Sequence, residues 1–425
     1  MTDATRPWPA PRRVVVTGMG MVTALGTDVA STWDGLVAGR SGIRTIEAFD
    51  PSRLHSQMAG EVPGFDPSDV LDRKDIRRMD RYMQFGLVVS RQALDQAGLP
   101  GRIEGELAER TGVILGSGLG GVNTLFDNVL LMGERGPDRI SPFFIPMSIA
   151  NVGAGQVAIA YGPLGPNFAI VSACATGGHA IGEAWETIRR DDADVMIAGG
   201  SEAPIVEDLV ASFAAMRALS TRNDDPAAAS RPFDTGRDGF VIAEGAAILI
   251  LEELEHARRR GAPILAEIVG YAATGDASHI TLPAPGGEGA LRAARRALQK
   301  AGLTPGDVDH VNAHATSTPE GDRAELQAMR SLVGDRVGQV SLTANKSMIG
   351  HTLGAAGAIE AAVTIRSLRE GIVPPTINLD APDEAGDGMD LTPGVARRRP
   401  IRVAVNNSFG FGGQNSAIVL RRWDA

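Results

Sequence analysis

The segment CATGGHAIGEAWETIR, residues 174–189, has a counterpart in HTLGAAGAIEAAVTIR at residues 351–366. In each half of the chain, the third strand-like run leads through a glycine-bearing turn into this helix of small residues. Both segments end in the same three letters, TIR. The correspondence predicts an internal duplication of roughly 150–250 residues per half, within the usual size of a domain.

Ten strand-like runs support the duplication, five on each side of a break at residues 256–263. Ala-rich helical stretches alternate with them, which favours mostly parallel sheets covered by helices. We predict an α/β fold with an N-terminal arm at 1–12 and two halves at 13–262 and 263–425. The first half carries insertions around 20–110 and 200–244. The runs lie at 14–18, 112–118, 168–172, 194–200, 246–252, 264–272, 309–314, 340–345, 402–407 and 416–422.

The composition of the 425 residues excludes several classes of protein. Hydrophobic residues make up 43% and charged residues 22%, as in a soluble globular protein. A net charge of −10 argues against nucleic-acid binding. The chain has no apolar run of about 18 residues and no apolar signal-peptide core, so we predict neither a membrane span nor secretion. One cysteine excludes an intramolecular disulfide and a cysteine-rich zinc site, and it fits a reducing, cytoplasmic location.

That cysteine, Cys174, is predicted to be a nucleophile. A free cysteine is often a small core residue, but this one follows a strand and opens a helix. A helix N-terminus favours the thiolate, and free main-chain N–H groups there can hold an oxyanion. The carboxyl end of a strand is also where open α/β sheets bind ligands. This placement predicts acyl transfer onto sulfur.

Two of the seven histidines are the expected partners of Cys174. His314 ends a strand in VNAHATSTPEGD (311–322), and His351 opens a helix in ANKSMIGHTLGAAGAIE (344–360). If the halves obey a pseudo-twofold, Cys174 and His351 are equivalent, and both helix N-termini face one site. A helix N-terminus disfavours protonation of His351, and a neutral imidazole suits stabilisation of an oxyanion or enolate. Lys346 adds positive charge there, and a salt bridge to Glu360 or Glu320 is compatible with that role.

The last motif is NNSFGFGGQNS at residues 406–416, between the final two strands. Three of the four residues in GFGG are glycines, which lets the main chain turn sharply and approach a substrate. A plain hairpin loop is the simpler interpretation, but a hairpin tip seldom exposes two phenylalanines. We therefore predict a gate over an apolar tunnel.

Together these residues resemble the elongating β-ketoacyl-[acyl-carrier-protein] synthases of the thiolase-fold superfamily, from about residue 13 to 422. The resemblance implies a thiolase-like fold: a five-layered αβαβα sandwich with two five-stranded mixed sheets. It also implies a homodimer with active sites near the interface. The motifs that carry it are VVVTGMGMV, GSGLGG, ISPFFIP, SACATGG, ADVMIAGGSE, ALSTRND, VNAHATSTPEGD, NKSMIGHTLGAAGA, VPPTINLD and NSFGFGGQN.

The resemblance implies a decarboxylative condensation, in the style of synthase II. Cys174 holds the acyl group as a thioester, and His314 and His351 promote decarboxylation of malonyl-ACP, giving a 3-oxoacyl-ACP two carbons longer. Lys346 matches the family's structural-catalytic lysine. The remaining implied roles are the oxyanion hole at Cys174 and Phe411, the gate at Phe411, pantetheine binding at Thr316 and Thr318, further substrate contact at Phe409, and the acyl tunnel at Leu119, Phe144 and Phe213.

The implied partner is an acidic acyl carrier protein (ACP), so a local basic patch must outweigh the net negative charge. The segment RKDIRRMDR (73–81) offers one, although a charge run is more often a solvated helix face. No organic cofactor or catalytic metal is expected. A structural monovalent cation near Asn407 or Glu360 is left open. The basic residues are Arg73, Lys74, Arg77, Arg78 and Arg81.

Five other classes of protein are alternatives to this resemblance. GSGLGG (116–121) fits a dinucleotide-binding pattern, but Asp138, which is close to the distance that ribose recognition requires, lies in a Gly/Pro-rich loop and not at a strand end. A degradative thiolase needs a second cysteine, and an initiating synthase has Asn where this chain has His351. A chain-length factor lacks the cysteine. The catalytic ketosynthase subunit of a type II polyketide synthase keeps all three catalytic residues and remains the alternative.

Overall fold

The structure is a computed structural model, and it describes residues 11–424. Residues 1–10 of the expected arm therefore lie outside the described part of the chain. The strands are β1 (Val14–Val22), β2 (Arg44–Thr45), β3 (Met58–Ala59), β4 (Thr111–Gly116), β5 (Asn167–Phe168), β6 (Val195–Glu202), β7 (Gly245–Glu253), β8 (Ala266–Gly275), β9 (His310–Asn312), β10 (Ser341–Thr343), β11 (Ile372–Val373), β12 (Arg397–Arg398), β13 (Val403–Gly410) and β14 (Gln414–Arg422).

Helices cover both faces of the strands. They are α1 (Val29–Val37), α2 (Arg73–Ile76), α3 (Arg81–Ala97), α4 (Gly105–Glu109), α5 (Val122–Arg135), α6 (Phe144–Ser148), α7 (Asn151–Tyr161), α8 (Thr176–Arg189), α9 (Glu207–Ala215), α10 (Leu254–Arg259), α11 (Glu288–Lys300), α12 (Pro319–Val333), α13 (Lys346–Ile349) and α14 (Ala356–Glu370).

Every predicted strand-like run overlaps a strand, and the α/β class is confirmed. The strands of the first half run in the order β1-β7-β6-β4-β5, and those of the second half in the order β8-β14-β13-β9-β10. We expected two separate sheets, but β1 also pairs with β8 over three residues, Val14–Val16, so the hydrogen bonding is continuous. The run at 168–172 was overestimated, since β5 covers only Asn167–Phe168.

The layers place α8 and α14 in the middle of the molecule. Their apolar faces share one core with both sets of strands, while α3 and α7 cover the outer face of the first set and α11 and α12 that of the second. Glycine allows the two central helices to touch, because a Cβ on Gly177 would lie 2.8 Å from the main-chain nitrogen of Ala358. The expected αβαβα order is therefore present.

The turns before the two central helices match. A 3₁₀ turn at Ala173–Ala175 precedes α8, and one at Leu353–Ala355 precedes α14. Each turn begins with a left-handed residue, with φ of 49° at Ala173 and 44° at Leu353. Cys174 therefore corresponds to Gly354, and the predicted equivalence of Cys174 with His351 is wrong. His351 lies five residues before α14, in a β-bridge with Ile242, and does not open the helix.

Among residues 11–424, no helix combines the length and the apolar character that crossing a membrane requires.

Candidate active site

Cys174 lies in the 3₁₀ turn at Ala173–Ala175, beneath the hairpin that joins β13 to β14. Its side chain is 9% exposed. The main-chain N–H groups of Phe411 and of Cys174 itself point at the sulfur and lower its pKa, and so does the charge of Lys346. Burial outweighs them and raises the pKa of the thiol to about 12. The main-chain donors of the turn favour the thiolate, as expected, but desolvation exceeds their effect on the pKa of Cys174.

Two histidine rings face this thiol. The sulfur of Cys174 and one ring nitrogen from each of His314 and His351 lie within 4.8 Å of one another. The two rings meet edge to face at 5.4 Å between centroids, and Phe240 packs on His351 at 5.3 Å. Neither ring nitrogen of His351 has a hydrogen-bond partner within residues 11–424, so both are available to a substrate.

Burial sets the protonation state of both rings. It is the largest cause of the lowered pKa of His314 and of His351, and the charge of Lys346 acts in the same direction. Both imidazoles are therefore neutral at physiological pH. The neutral state expected for His351 has this cause, not a helix terminus. Lys346 Nζ lies 3.5 Å from His314 Nδ1. Because the ammonium can only donate, Nδ1 is the unprotonated ring nitrogen of His314, and Nε2 carries the hydrogen and acts as a donor.

Lys346 is fully buried and organises the histidine side of the site. Its ammonium donates to Glu360 and, across 2.5 Å, to the main-chain oxygen of His314. Burial raises the pKa of Glu360 to about 7, while the ammonium opposes this shift. The salt bridge expected from the sequence is thus formed with Glu360, and Glu320 is exposed.

Glu325 supports the site, and no sequence pattern predicted it. It lies on α12, and its carboxylate accepts the main-chain N–H groups of His314 and Ala315 at 3.0 and 2.7 Å. Asn407 donates to the same carboxylate at 3.1 Å. These bonds fix the left-handed turn after β9, where Ala315 has φ of 25°. Glu325 could have been predicted from the sequence as an acid eleven residues after His314, at a position on the buried face of the following helix.

A cavity of about 490 Å³ opens onto the three catalytic candidates. Leu119 and Phe213 line it, as expected for an acyl tunnel. Phe144 does not line it; this residue begins α6 and is half-buried. Within this chain, its expected position in the tunnel is wrong.

The pantetheine and gate candidates surround the mouth of this cavity. Thr316 and Thr318 both line it, with their hydroxyl oxygens 3.0 Å apart. Phe409 lines it and packs on the ring of His314, with centroids 5.6 Å apart. Phe411 is half-buried in the tight turn between β13 and β14, so the motif is a hairpin that also covers the cavity. Arg217, which the sequence analysis missed, is an exposed cation at the mouth.

The basic segment is only partly available to a partner. Arg73, Lys74, Arg77 and Arg78 are exposed around the short helix α2. Arg81 is only partly exposed, because its guanidinium forms two 2.7 Å hydrogen bonds with the buried carboxylate of Glu244. Its place in the patch stays a prediction, with less of its charge free for a partner.

Sequence comparison identifies the class of protein. The family described as "Beta-ketoacyl synthase, N-terminal domain" matches residues 11–257, and "Beta-ketoacyl synthase, C-terminal domain" matches residues 265–380. The chain belongs to the β-ketoacyl synthase family.

Curated relatives match over nearly the whole chain. The 3-oxoacyl-[acyl-carrier-protein] synthase 2 of Coxiella burnetii is 48% identical over 411 residues, covering 97% of this chain and 99% of the relative. The protein of the same name from Vibrio cholerae is 48% identical over 413 residues, with the same coverage.

Solved structures share the fold. A β-ketoacyl synthase from Burkholderia phymatum has a TM-score of 0.89 at 37% identity, covering 97% of this chain and all of that one. A type II polyketide acyl-carrier protein in complex with its ketosynthase provides another match, with a TM-score of 0.89 at 36% identity and the same coverage. The thiolase-like fold expected from the motifs is confirmed.

Proposed function

We propose that this protein condenses an acyl group with malonyl-ACP to give a 3-oxoacyl-ACP, CO₂ and free ACP in fatty acid elongation. The observation that carries the proposal is the cluster of Cys174, His314 and His351, whose reactive atoms lie within 4.8 Å at the end of a cavity. The 48% identity to proteins named 3-oxoacyl-[acyl-carrier-protein] synthase 2 supports the same reaction.

The first step transfers the acyl group to Cys174. The sulfur attacks the thioester carbonyl of acyl-ACP, and the main-chain N–H groups of Cys174 and Phe411 stabilise the oxyanion. Because the pKa of the thiol is raised, its proton must leave during the attack. A neutral imidazole of the cluster relays that proton to the departing ACP thiolate. The products are acyl-Cys174 and free ACP.

The second step uses the histidines as hydrogen-bond donors. Malonyl-ACP loses CO₂, and the negative charge moves onto the oxygen of its thioester. Nε2–H of His314 and a ring N–H of His351 stabilise this enolate, which neutral rings can do without giving up a full proton. The enolate carbon then attacks the acyl-Cys174 carbonyl, and the C–S bond breaks. The Cys174 thiolate takes up a proton from solvent, and 3-oxoacyl-ACP leaves.

ACP is the proposed partner, delivered to the side of the molecule that carries exposed cations. Arg73, Lys74, Arg77 and Arg78 supply a local positive charge on an acidic enzyme. Arg217 supplies another cation at the mouth of the cavity, within reach of a phosphopantetheine phosphate. The ketosynthase of similar structure that was solved with its acyl-carrier protein supports this class of partner.

We propose a homodimer formed through the edge of the first set of strands. Strand β5 ends this set, and both of its residues are exposed. An edge strand of this kind offers unpaired main-chain groups to another chain. Large apolar side chains are exposed on β5 and beside it along the chain, which is typical of an interface. They are Ile145, Ile149, Ile159, Leu164, Phe168 and Val171.

A structural monovalent cation is proposed near Glu360. Buried oxygens on neighbouring elements lack a donor within residues 11–424: Oε2 of Glu360 and Oδ1 of Asn406 and Asn407. Asn312 donates to the main-chain oxygen of Glu360, and it pairs in register with Asn406. Oxygen atoms of this kind suit a hard cation, which when bound would balance the buried carboxylate. We also propose a cytoplasmic location, since the single free cysteine suits a reducing compartment.

A catalytic ketosynthase subunit of a type II polyketide synthase is the second candidate, because one similar structure, at 36% identity, contains a type II polyketide ketosynthase. Another, at 34% identity, is the ishigamide ketosynthase/chain length factor. Intact-protein mass spectrometry separates the two candidates. The enzyme is incubated with dodecanoyl-ACP and then with malonyl-ACP. An adduct on Cys174 that disappears as 3-oxotetradecanoyl-ACP forms is the expected result. An adduct that malonyl-ACP cannot discharge favours the polyketide candidate, and the absence of any adduct rejects the nucleophile.

A further inference from the structure

Glu202 is a buried carboxylate that the mechanism above does not use. It ends strand β6, is 0% exposed, and lies below the turn that carries the nucleophile. Burial raises its pKa to about 7 against the opposing effect of its hydrogen bonds. A buried carboxylate destabilises the fold unless hydrogen-bond donors compensate for its lost hydration.

Four donors converge on this carboxylate, two on each oxygen. Oε1 accepts from the hydroxyl of Ser117 at 2.7 Å and from the main-chain N–H of Leu119 at 3.1 Å. Oε2 accepts from the main-chain N–H of Gly118 at 2.7 Å and from that of Gly354 at 2.9 Å. Ser117, Gly118 and Leu119 belong to the first half of the chain and Gly354 to the second, so one carboxylate joins the two halves.

The segments held in this way form the walls of the cavity around Cys174. Gly118 and Leu119 line the cavity, and so does Leu353, the residue before Gly354. The fit is tight, because a Cβ on Gly354 would lie 2.4 Å from Oε2 of Glu202 and 2.4 Å from the nitrogen of Gly118.

The same carboxylate supports main-chain strain. Ala173 and Leu353 both adopt left-handed conformations, which are unfavourable for residues other than glycine. Their two turns pack against each other. Strained main chain persists only where the surrounding structure fixes its conformation. The hydrogen bond from the Gly354 N–H to Glu202 fixes the turn that begins at Leu353.

We propose that Glu202 is a positioning residue for acyl transfer: it holds the turn at Ser117–Leu119 against the turn at Leu353–Gly354 and so sets the acyl-binding wall beside the thiol. The inference rests on the proposed condensation. Glu202 acts on the cysteine side of the site. On the other side, Glu325 and Glu360 hold His314 and Lys346, so decarboxylation does not depend on Glu202.

The test compares Glu202→Gln with Glu252→Gln in the full-length protein. Gln keeps the shape of the side chain but places an NH₂ group against two of the four donors. Glu252 is a matched control, because it is also fully buried and accepts from several donors. It pairs with Val195 at the opposite end of β6, roughly 23 Å from Glu202 at 3.3 Å per residue.

Three quantities are measured for each variant: the single-turnover rate of Cys174 acylation by dodecanoyl-ACP, CO₂ release from malonyl-ACP, and the unfolding temperature. Glu202→Gln is expected to slow acylation about 10- to 100-fold, the effect of a displacement of about 1 Å, and to leave CO₂ release unchanged. Glu252→Gln is expected to lower the unfolding temperature without changing the ratio of the acylation rate to the rate of CO₂ release.

Acylation at the wild-type rate in Glu202→Gln, or an equal loss of both rates, overturns the proposal. If Glu202→Gln does not fold, Ser117→Ala removes one donor to the same carboxylate and is expected to slow acylation alone; an unchanged rate in that variant also overturns it. Wild-type protein that neither acylates nor releases CO₂ rejects the condensation itself, a separate outcome.

Discussion

The ammonium of Lys346 lies 2.5 Å from the main-chain oxygen of His314, and its other strong contact is the carboxylate of Glu360. One buried cation therefore fixes the turn that carries a catalytic candidate and neutralises a buried acid. Removing one member of a buried ion pair leaves an uncompensated charge, which costs more than removing both.

Lys346→Met should therefore lower the free energy of unfolding by about 3–5 kcal/mol. Lys346→Met combined with Glu360→Gln should recover most of that loss, because no buried charge is left without a partner. Neither variant should decarboxylate malonyl-ACP. Urea unfolding at pH 8 measures the stability, and Lys300→Met, which breaks an exposed pair with Glu186, should change it by less than about 1 kcal/mol. A double variant as unstable as the single one contradicts the argument.

The pH dependence of thiol alkylation tests the buried state of Cys174. Because burial raises its pKa to about 12, the thiol is protonated at neutral pH, and its thiolate fraction grows about tenfold per pH unit. The rate of modification by iodoacetamide should therefore rise without a plateau from pH 7 to pH 10. This is the only thiol in the chain, so the mass of the intact protein reports it directly.

Free cysteine provides the reference for that experiment, since its alkylation levels off above its pKa of about 8.5. A plateau for the protein below pH 8 would mean that Lys346 and the main-chain donors outweigh desolvation, contrary to the structure.

The basic segment should affect recognition of ACP but not chemistry. The double substitution Arg77→Glu and Arg78→Glu should raise KM for acyl-ACP about tenfold at low salt, and the effect should shrink as salt screens the charges. Activity with the same acyl group on coenzyme A, which carries no acidic protein, should stay unchanged. Arg398→Glu, an exposed arginine on β12, is the control. An unchanged KM for acyl-ACP would remove this segment from the interface.

The exposed edge at β5 should mediate dimer formation. Phe168→Glu places a charge on an exposed strand that is expected to meet a second copy, and it should shift the protein to a monomer in sedimentation velocity experiments. Val395 is exposed to 73% on a different part of the surface, and Val395→Glu should leave the dimer intact. Wild-type protein that sediments as a monomer contradicts the proposed interface.

Much of the site could be predicted because its residues lie in short, locally decisive motifs. The local sequence alone places a cysteine between a strand and a helix. It also places a histidine directly after a strand. The hydrogen-bond partners of Glu202 and Arg81 escaped prediction because they are distant in sequence. Glu202 accepts from Gly354, 152 residues away, and Arg81 binds Glu244, 163 residues away.

The sequence by itself determined the approximate positions of the ten strands and the identity of the two histidines that face Cys174, since strand patterns and the turns that follow them are local properties. Tertiary structure alone decided that Cys174 corresponds to Gly354 and not to His351, because a shift of three residues along a helix leaves its apolar face in place. It also decided the ionisation of the site. Burial, which only packing creates, raises the pKa of the thiol and keeps both imidazoles neutral.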